Sequence, residues 1–197
     1  MYRLVESIRL QDGTFHNLPY HQQRMDESVC RLTGSPNCIR LANMLTPIQE
    51  KGLYKFRLVY TTGGDWQHTI TAYQPVRVTS LQVVYDDEIN YPFKFEDRSN
   101  LQKLFARRGH ADDVLIVKNG LVTDASYSNV VFFDGQHWIT PSTPLLPGVM
   151  RTMLLDAGEI RADEIPFRTI TTFQKVKLIN ALLGFQGPEF PVSHILF

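Results

Sequence analysis

The sequence predicts an α+β protein of two domains, on three observations. Strand-like stretches occur in both halves: Tyr2 to Leu10, Leu53 to Thr61 and Trp66 to Tyr73 in the first, and short apolar runs such as Val114 to Val117 and Val130 to Phe133 in the second. Separate blocks show helical spacing, three of them closed by glycine at Gly34, Gly109 and Gly158. Between the halves, Asp86 to Pro92 is acidic at first and ends on proline, as a linker would. The expected organisation is an N-terminal domain over residues 1–86 with two helices on an antiparallel sheet, a linker over 87–92, and a C-terminal α/β domain over 93–197.

In the first half, the strand Tyr2 to Leu10 meets an Asp12-Gly13 turn, and Phe15 begins a short return. Asn17 is the expected cap of a helix with Pro19 in its first turn. Its apolar stripe is Leu18, Met25, Val29 and Leu32, with Gly34 as its stop and His21 and Arg24 on the more polar side. A second helix is expected from about Asn37 to Lys51 through Leu41, Leu45 and Ile48, bent or ended early by Pro47. Two strands follow across Thr62-Gly63-Gly64-Asp65. In the first, Tyr54, Phe56, Leu58 and Tyr60 share one face while Lys55, Arg57 and Val59 share the other. Leu81 to Tyr85 is expected as a third strand of this half.

The second half opens with a helix expected from about Glu96 to Arg108, inward at Leu101, Leu104 and Phe105. Val114 to Val117, Leu121 to Thr123, Val130 to Phe133 and His137 to Thr140 read as a meander turning at Asn119-Gly120 and Asp134-Gly135. Pro147-Gly148 opens a helix with Val149, Met153, Leu154 and Ala157 inward. A strand near Ile165, a short helix around Thr169 to Phe173 and a strand from Val176 to Leu183 complete the chain.

Composition narrows the function classes. The 197 residues are 43% hydrophobic and 20% charged, with zero formal net charge. That balance gives no broad electrostatic footprint for nucleic acid or an anionic membrane. No apolar run approaches the roughly 18 residues of a membrane span, and Met1 to Glu6 lacks the features of a signal peptide. Cys30 and Cys38 lack metal-ligand spacing and read as free, buried thiols in a reducing cytoplasm.

Chemistry is expected at Lys94, which stands in Asn90-Tyr91-Pro92-Phe93-Lys94-Phe95-Glu96-Asp97-Arg98 among three aromatic rings. A lysine shielded from water has its charged form disfavoured, which makes its amine usable as a nucleophile or base.

Several stretches in the same order resemble the class IV aminotransferase family, the pyridoxal-phosphate enzymes of fold type IV. Val122-Thr123-Asp124-Ala125-Ser126-Tyr127-Ser128-Asn129 resembles the family segment in which an acid follows threonine and asparagine sits five positions on. Thr140-Pro141 with Leu146-Pro147-Gly148-Val149-Met150-Arg151 resembles its Thr-Pro and Leu-Pro-Gly-Ile-x-Arg signature. Val5-Glu6-Ser7-Ile8-Arg9 and His21-Gln22-Gln23-Arg24-Met25 resemble its Phe-Glu-Thr-Ile-Arg and His-x-x-Arg-Leu pieces. Asn180-Ala181-Leu182, and Lys94 with Arg98 four residues on, resemble its aminodeoxychorismate lyase branch. The glycine-rich strand that usually precedes the first piece is absent, so the resemblance implies a two-domain fold type IV protein with a truncated N-terminal domain.

The resemblance also implies roles. Lys94 would bond covalently to the aldehyde of pyridoxal 5'-phosphate and, once released by substrate, shuttle the Cα proton. Asp124, where most relatives carry glutamate, would pair with the pyridine nitrogen. The backbone amides at Val149 and Met150 would take the phosphate at a helix start, with Arg24 and Asn180 as further contacts. Arg98 would lie over the cofactor or take a substrate carboxylate, and Arg57 would be a second carboxylate partner.

The implied reaction is aminodeoxychorismate lyase chemistry in folate synthesis, giving 4-aminobenzoate and pyruvate from a chorismate-derived substrate. A class IV transaminase of branched-chain or D-amino acids, and a non-catalytic binding module on the same fold, stay open beside it. Kinship further implies a cytoplasmic homodimer.

Overall fold

The computed structural model describes residues 1–45 and 51–197. They fall into two compact units: Met1–Pro75 with Phe93–Asp97, and Val76–Pro92 with Arg98–Phe197.

The first unit begins with β1 (Arg3–Gln11), whose Asp12-Gly13 turn leads to the two-residue β2 (Thr14–Phe15). Helix α1 (Leu18–Thr33) follows and buries Met25 and Val29. Asn17 precedes α1 as expected but makes no side-chain cap; its φ of 57° places it in the left-handed region that asparagine tolerates. Gly34, at φ 73°, ends the helix with its N–H on the Cys30 carbonyl. Strands β3 (Leu53–Thr61) and β4 (Trp66–Ala72) complete an antiparallel sheet ordered β2-β1-β3-β4. Leu4, Ile8, Phe56, Leu58 and Tyr60 from one sheet face meet Met25 and Val29 in the core.

The helix expected over Asn37 to Lys51 is corrected in its described part, where only Leu41–Asn43 forms a single 3-10 turn. The Asn37 side chain instead accepts the Ile39 N–H at 3.0 Å, a local turn, and donates to Asp26 at 2.9 Å. Leu41 N–H donates to Gln22 Oε1 at 2.8 Å, which pins the segment to α1. Pro47 and Ile48 lie outside the described residues.

In the second unit β5 (Leu81–Tyr85) comes first, then α2 (Ser99–Phe105) with a 3-10 turn to Arg108. Next come β6 (Asp113–Lys118), β7 (Leu121–Ala125), β8 (Asn129–Phe133) and β9 (Trp138–Pro141), and then α3 (Val149–Asp156). The chain ends through β10 (Arg161–Asp163), β11 (Lys175–Ile179), β12 (Glu189–Pro191) and β13 (Ile195–Leu196). The sheet runs β10-β9-β8-β7-β6-β5-β13, with β11 paired to β8 and β12. Its meander β6 to β9 is antiparallel, as the turns at Asn119-Gly120 and Asp134-Gly135 predict. Asn119 and Gly120 both take positive φ, 51° and 75°, which suits a two-residue hairpin.

Three expectations change here. Leu81–Tyr85 joins the second sheet, parallel to β6, and not the first. The stretch expected as a linker is tied to this unit: Asp86 N–H reaches the Val117 carbonyl at 3.0 Å, and Lys118 Nζ reaches the Ile89 carbonyl at 2.6 Å. Cys30 and Cys38 are free but exposed, not buried. Among the described residues no helix is long and apolar enough to cross a membrane.

Candidate functional site

Glu6 lies on the core face of β1 opposite Leu58, and is fully buried. An acid there is tolerable only if it is paired. Arg24, one turn after His21 on α1, grips it with both Nε (2.9 Å to Oε1) and Nη2. His21 Nδ1 lies 2.6 Å from Glu6 Oε2. Burial pushes the Glu6 carboxyl up, but the Arg24 charge and the His21 hydrogen bond outweigh it and bring the group down to about 2. Burial lowers the pKa of His21 against the pull of Glu6, so the ring is neutral near pH 7 and donates through Nδ1–H. His21, expected on the polar side of α1, is therefore an inward residue. The sequence carried signals for both: Glu6 falls on the Leu4-Ile8-Leu10 face, and His21 falls on the Leu18-Met25 stripe.

Lys94 belongs to the same unit. Phe95 N–H donates to the Phe93 carbonyl at 2.8 Å, which places Lys94 at the apex of a three-residue turn. Both flanks of that turn are fastened to β1: Val5 N–H donates to the Lys94 carbonyl at 2.9 Å, and Glu96 N–H to the Arg3 carbonyl at 3.0 Å. The Phe93 and Phe95 rings meet edge to face, 5.8 Å between centroids, and Arg31 lies over Phe93. The Lys94 side chain is half-buried, and its charge acts on His21. Arg57, on β3, has its Nη2 3.2 Å from Glu96 Oε1, and Glu96 also takes Arg3 at 2.6 Å. Arg57 thus already holds a carboxylate of this chain.

In the second unit, Asp124 on β7 stands in register with Asn129 on β8. Asn129 Nδ2 donates to Asp124 Oδ1 at 2.7 Å and to the Leu146 carbonyl at 2.8 Å, while Leu146 N–H donates to Asp124 Oδ2 at 3.1 Å. Burial raises the Asp124 carboxyl to about 6, opposed by these hydrogen bonds and by the Arg151 charge. Leu146 leads through Pro147 and Gly148 into α3. A glycine N-cap offers no side-chain acceptor, so the first turn of α3 has no side-chain cap, and Val149 and Met150 are buried there. Buried Arg151 donates to the Pro141 carbonyl at 2.8 Å and to Thr140 Oγ1 at 3.3 Å. The two signature stretches of this half are therefore interlocked. Asn129 and Arg151, which had no role assigned from the sequence, make the contacts.

Arg98 and Asn180 converge on the turn between β7 and β8. The Arg98 guanidinium stacks on the Tyr127 ring at 3.9 Å and donates to the Ser126 carbonyl. Asn180 Oδ1 accepts the N–H groups of Leu182 and Leu183, each at 2.9 Å, and its Nδ2 donates to Ser128 Oγ at 3.1 Å. Within the second unit the structure brings Arg98, Asp124, Val149, Met150 and Asn180 into one region of linked segments. Arg24, Arg57 and Lys94 lie in the first unit.

Comparison with known proteins defines the class. Residues 3–188 match the family described as Amino-transferase class IV, and the chain belongs to that family. A protein of Schizosaccharomyces pombe provisionally named aminodeoxychorismate lyase is 30% identical over 171 residues, covering 79% of this chain and 74% of its own. The crystal structure of a provisionally assigned 4-amino-4-deoxychorismate lyase from Haemophilus somnus aligns with a TM-score of 0.87 and 32% identity, over 93% of this chain and 98% of its own. A provisionally assigned amino-acid aminotransferase from Mesorhizobium loti shares the fold at a TM-score of 0.81 and 22% identity, over 96% of this chain and 99% of its own.

The residues present fit the family's cofactor. Lys94 offers a primary amine on a pinned turn. In the other unit a buried carboxylate is held beside a helix start without a side-chain cap. The chain thus has the class IV fold, whose members are pyridoxal-phosphate enzymes.

Proposed function

We propose that this protein is an aminodeoxychorismate lyase using pyridoxal 5'-phosphate. The observation that carries the reading is the likeness to the Haemophilus somnus lyase, at 32% identity over nearly the whole of both chains. Bound pyridoxal 5'-phosphate supplies an aldehyde that captures the substrate amine and an electron-poor ring that spreads negative charge. Asp124 would hold the pyridine nitrogen protonated; with its carboxyl near 6, it is mostly ionised at neutral pH and suited to that pairing. The amides of Val149 and Met150 would take the phosphate; the phosphate role of Arg24 rests on the family likeness alone, because its Nε and Nη2 are already engaged by buried Glu6. Asn180 supports this region by fixing the turn at Ser128.

The Nζ of Lys94 would accept the proton from the substrate carbon that bears the amine. The C–O bond on the neighbouring carbon then breaks, and the departing enol takes up a proton to become pyruvate. The ring gains its third double bond and leaves as 4-aminobenzoate. Arg98, stacked on Tyr127, would face the carboxylate of the substrate or lie over the ring.

Arg57 is held by Glu96 in a half-exposed ion pair at 3.2 Å, which is weak enough to exchange partners and so favours neither reaction. A transaminase must accept a dicarboxylic 2-oxo acid, which calls for an arginine that can exchange partners, whereas the lyase needs no second amino acceptor.

The test is to load purified protein with pyridoxal 5'-phosphate and supply aminodeoxychorismate. Formation of 4-aminobenzoate and pyruvate in equal amounts is expected. Amino transfer to 2-oxoglutarate without 4-aminobenzoate would overturn the lyase in favour of the transaminase. A protein that stays colourless with pyridoxal 5'-phosphate would point to a non-catalytic module.

A further inference from the structure

One side chain in the second unit touches two features that the reading above treats separately. Asn129 uses a single Nδ2 to reach the Asp124 carboxylate at 2.7 Å and the Leu146 carbonyl at 2.8 Å. Leu146 returns its own N–H to the other Asp124 oxygen at 3.1 Å, which closes a three-membered ring of contacts. Two residues beyond Leu146 is Gly148, the residue before α3. Its φ of −74° and ψ of 146° suit any amino acid, so backbone strain does not demand glycine there. Space does: a Cβ at Gly148 would overlap Asn129 Oδ1. The amide of Asn129 is therefore pressed against the helix start on one side and hydrogen-bonded to the acid on the other.

We propose that Asn129 is a positioning residue that locks Asp124 to the start of α3, so that the carboxylate for the pyridine nitrogen and the amides for the phosphate keep a fixed separation. This rests on the pyridoxal 5'-phosphate reading of the site. A cofactor with a rigid ring between its nitrogen and its phosphate arm needs both ends set together, and a shift of one end against the other loses binding at whichever end is left short. The carboxylate is buried, so losing the Asn129 donor also leaves one of its oxygens less satisfied. Arg151, from α3, is the charged group that acts on it.

The experiment compares wild type with Asn129→Leu, Asp124→Asn and the double variant. Two quantities are read: the dissociation constant for pyridoxal 5'-phosphate by tryptophan fluorescence, and the pH dependence of urea stability in the cofactor-free protein. Asn129→Leu is expected to weaken cofactor binding by about 10- to 100-fold, in the range seen when an outer-shell hydrogen bond is removed. It is also expected to extend the stability loss on raising pH to values above those of wild type, because Asp124 loses a hydrogen bond that favours its ionised form. In the Asp124→Asn background the same substitution should cost much less, since Asn129 acts through Asp124.

Should Asn129→Leu fail to fold, Gly148→Ala reaches the same contact from the other side. It should weaken binding comparably, and Asn129→Ala combined with it should restore stability without restoring affinity. Wild-type affinity in Asn129→Leu, or full additivity with Asp124→Asn, would overturn the proposal and leave the cofactor reading standing. If wild type itself takes up no pyridoxal 5'-phosphate, the cofactor reading and the proposal's claim on it both fail. The pH profile of the cofactor-free protein would then still show whether Asn129 acts on Asp124.

Discussion

At Glu6 burial and charge pull in opposite directions, and charge wins. A buried carboxylate with two partners cannot be replaced on one side only. Removing the charge leaves Arg24 beside His21 in an apolar core. Glu6→Gln is therefore expected to cost about 3 kcal/mol of stability at pH 7, the size implied by a carboxyl brought from 4.5 to about 2. Urea denaturation checks this, and a loss below about 1 kcal/mol would show that the pairing contributes little net. Aromatic neighbours and family order singled out Lys94 in the sequence. Its setting was not legible, because a three-residue turn has no period. Val5 N–H and the Phe93 carbonyl, which hold that turn, are backbone groups that any sequence would supply. Lys94→Ala leaves both hydrogen bonds in place. It is expected to fold within about 1 kcal/mol of wild type, but to keep no cofactor covalently attached after borohydride reduction and denaturation, whereas wild type keeps it fixed to the Lys94 amine. Cofactor fixed covalently to the variant after borohydride would move the reactive amine elsewhere.

Elements were legible where one period ran uninterrupted. The α1 stripe and the β6 to β9 meander follow from spacing alone, and Gly34 and Asn119-Gly120 mark their ends. The helix expected from Asn37 failed in its described part because asparagine bonded its own backbone two residues on, a competition that apolar spacing at Leu41 and Leu45 does not reveal. Strand β5 was read correctly as a strand and placed in the wrong sheet. Alternation says which residues share a face but not which strand lies beside it, and a parallel neighbour needs a crossover such as the one containing α2. Asn180 has a structural part that family likeness alone does not convey. The family likeness suggested a ligand contact, while the structure shows a cap on Leu182 and Leu183 at the end of β11. Asn180→Ala would leave those two amide groups without their acceptor. A loss of about 1 to 2 kcal/mol is expected, with faster amide exchange confined to Leu182 and Leu183. Unchanged exchange at both would deny the cap.

The two units place their buried acids in opposite electrostatic settings, and the molecule as a whole should show it in its pH response. In the first unit, burial raises Glu6 but its cationic and hydrogen-bonding partners hold it near 2. Its contribution is fully present above about pH 4.5 and is lost as pH falls through 2. In the second unit burial prevails, raising Asp124 to about 6 and Asp113 in the same direction. A raised carboxyl contributes most below the unfolded value near 3.8 and loses that contribution as pH rises through 6. For the cofactor-free protein, these groups together favour stability around pH 4 to 5, with a decline of about 3 kcal/mol by pH 7 from Asp124 alone. Asp124→Asn removes the titrating group, so its stability relative to wild type should climb between pH 4 and 6 and level off above. Cofactor should reverse the pattern in wild type, because a ring nitrogen that carries a proton stabilises the ionised carboxylate and offsets the burial that raised it. Urea denaturation across that range, with and without pyridoxal 5'-phosphate, reads both effects. A flat difference between wild type and Asp124→Asn would mean that the carboxyl is not raised, and the acid would then lack the buried setting on which its pairing with a pyridine nitrogen depends.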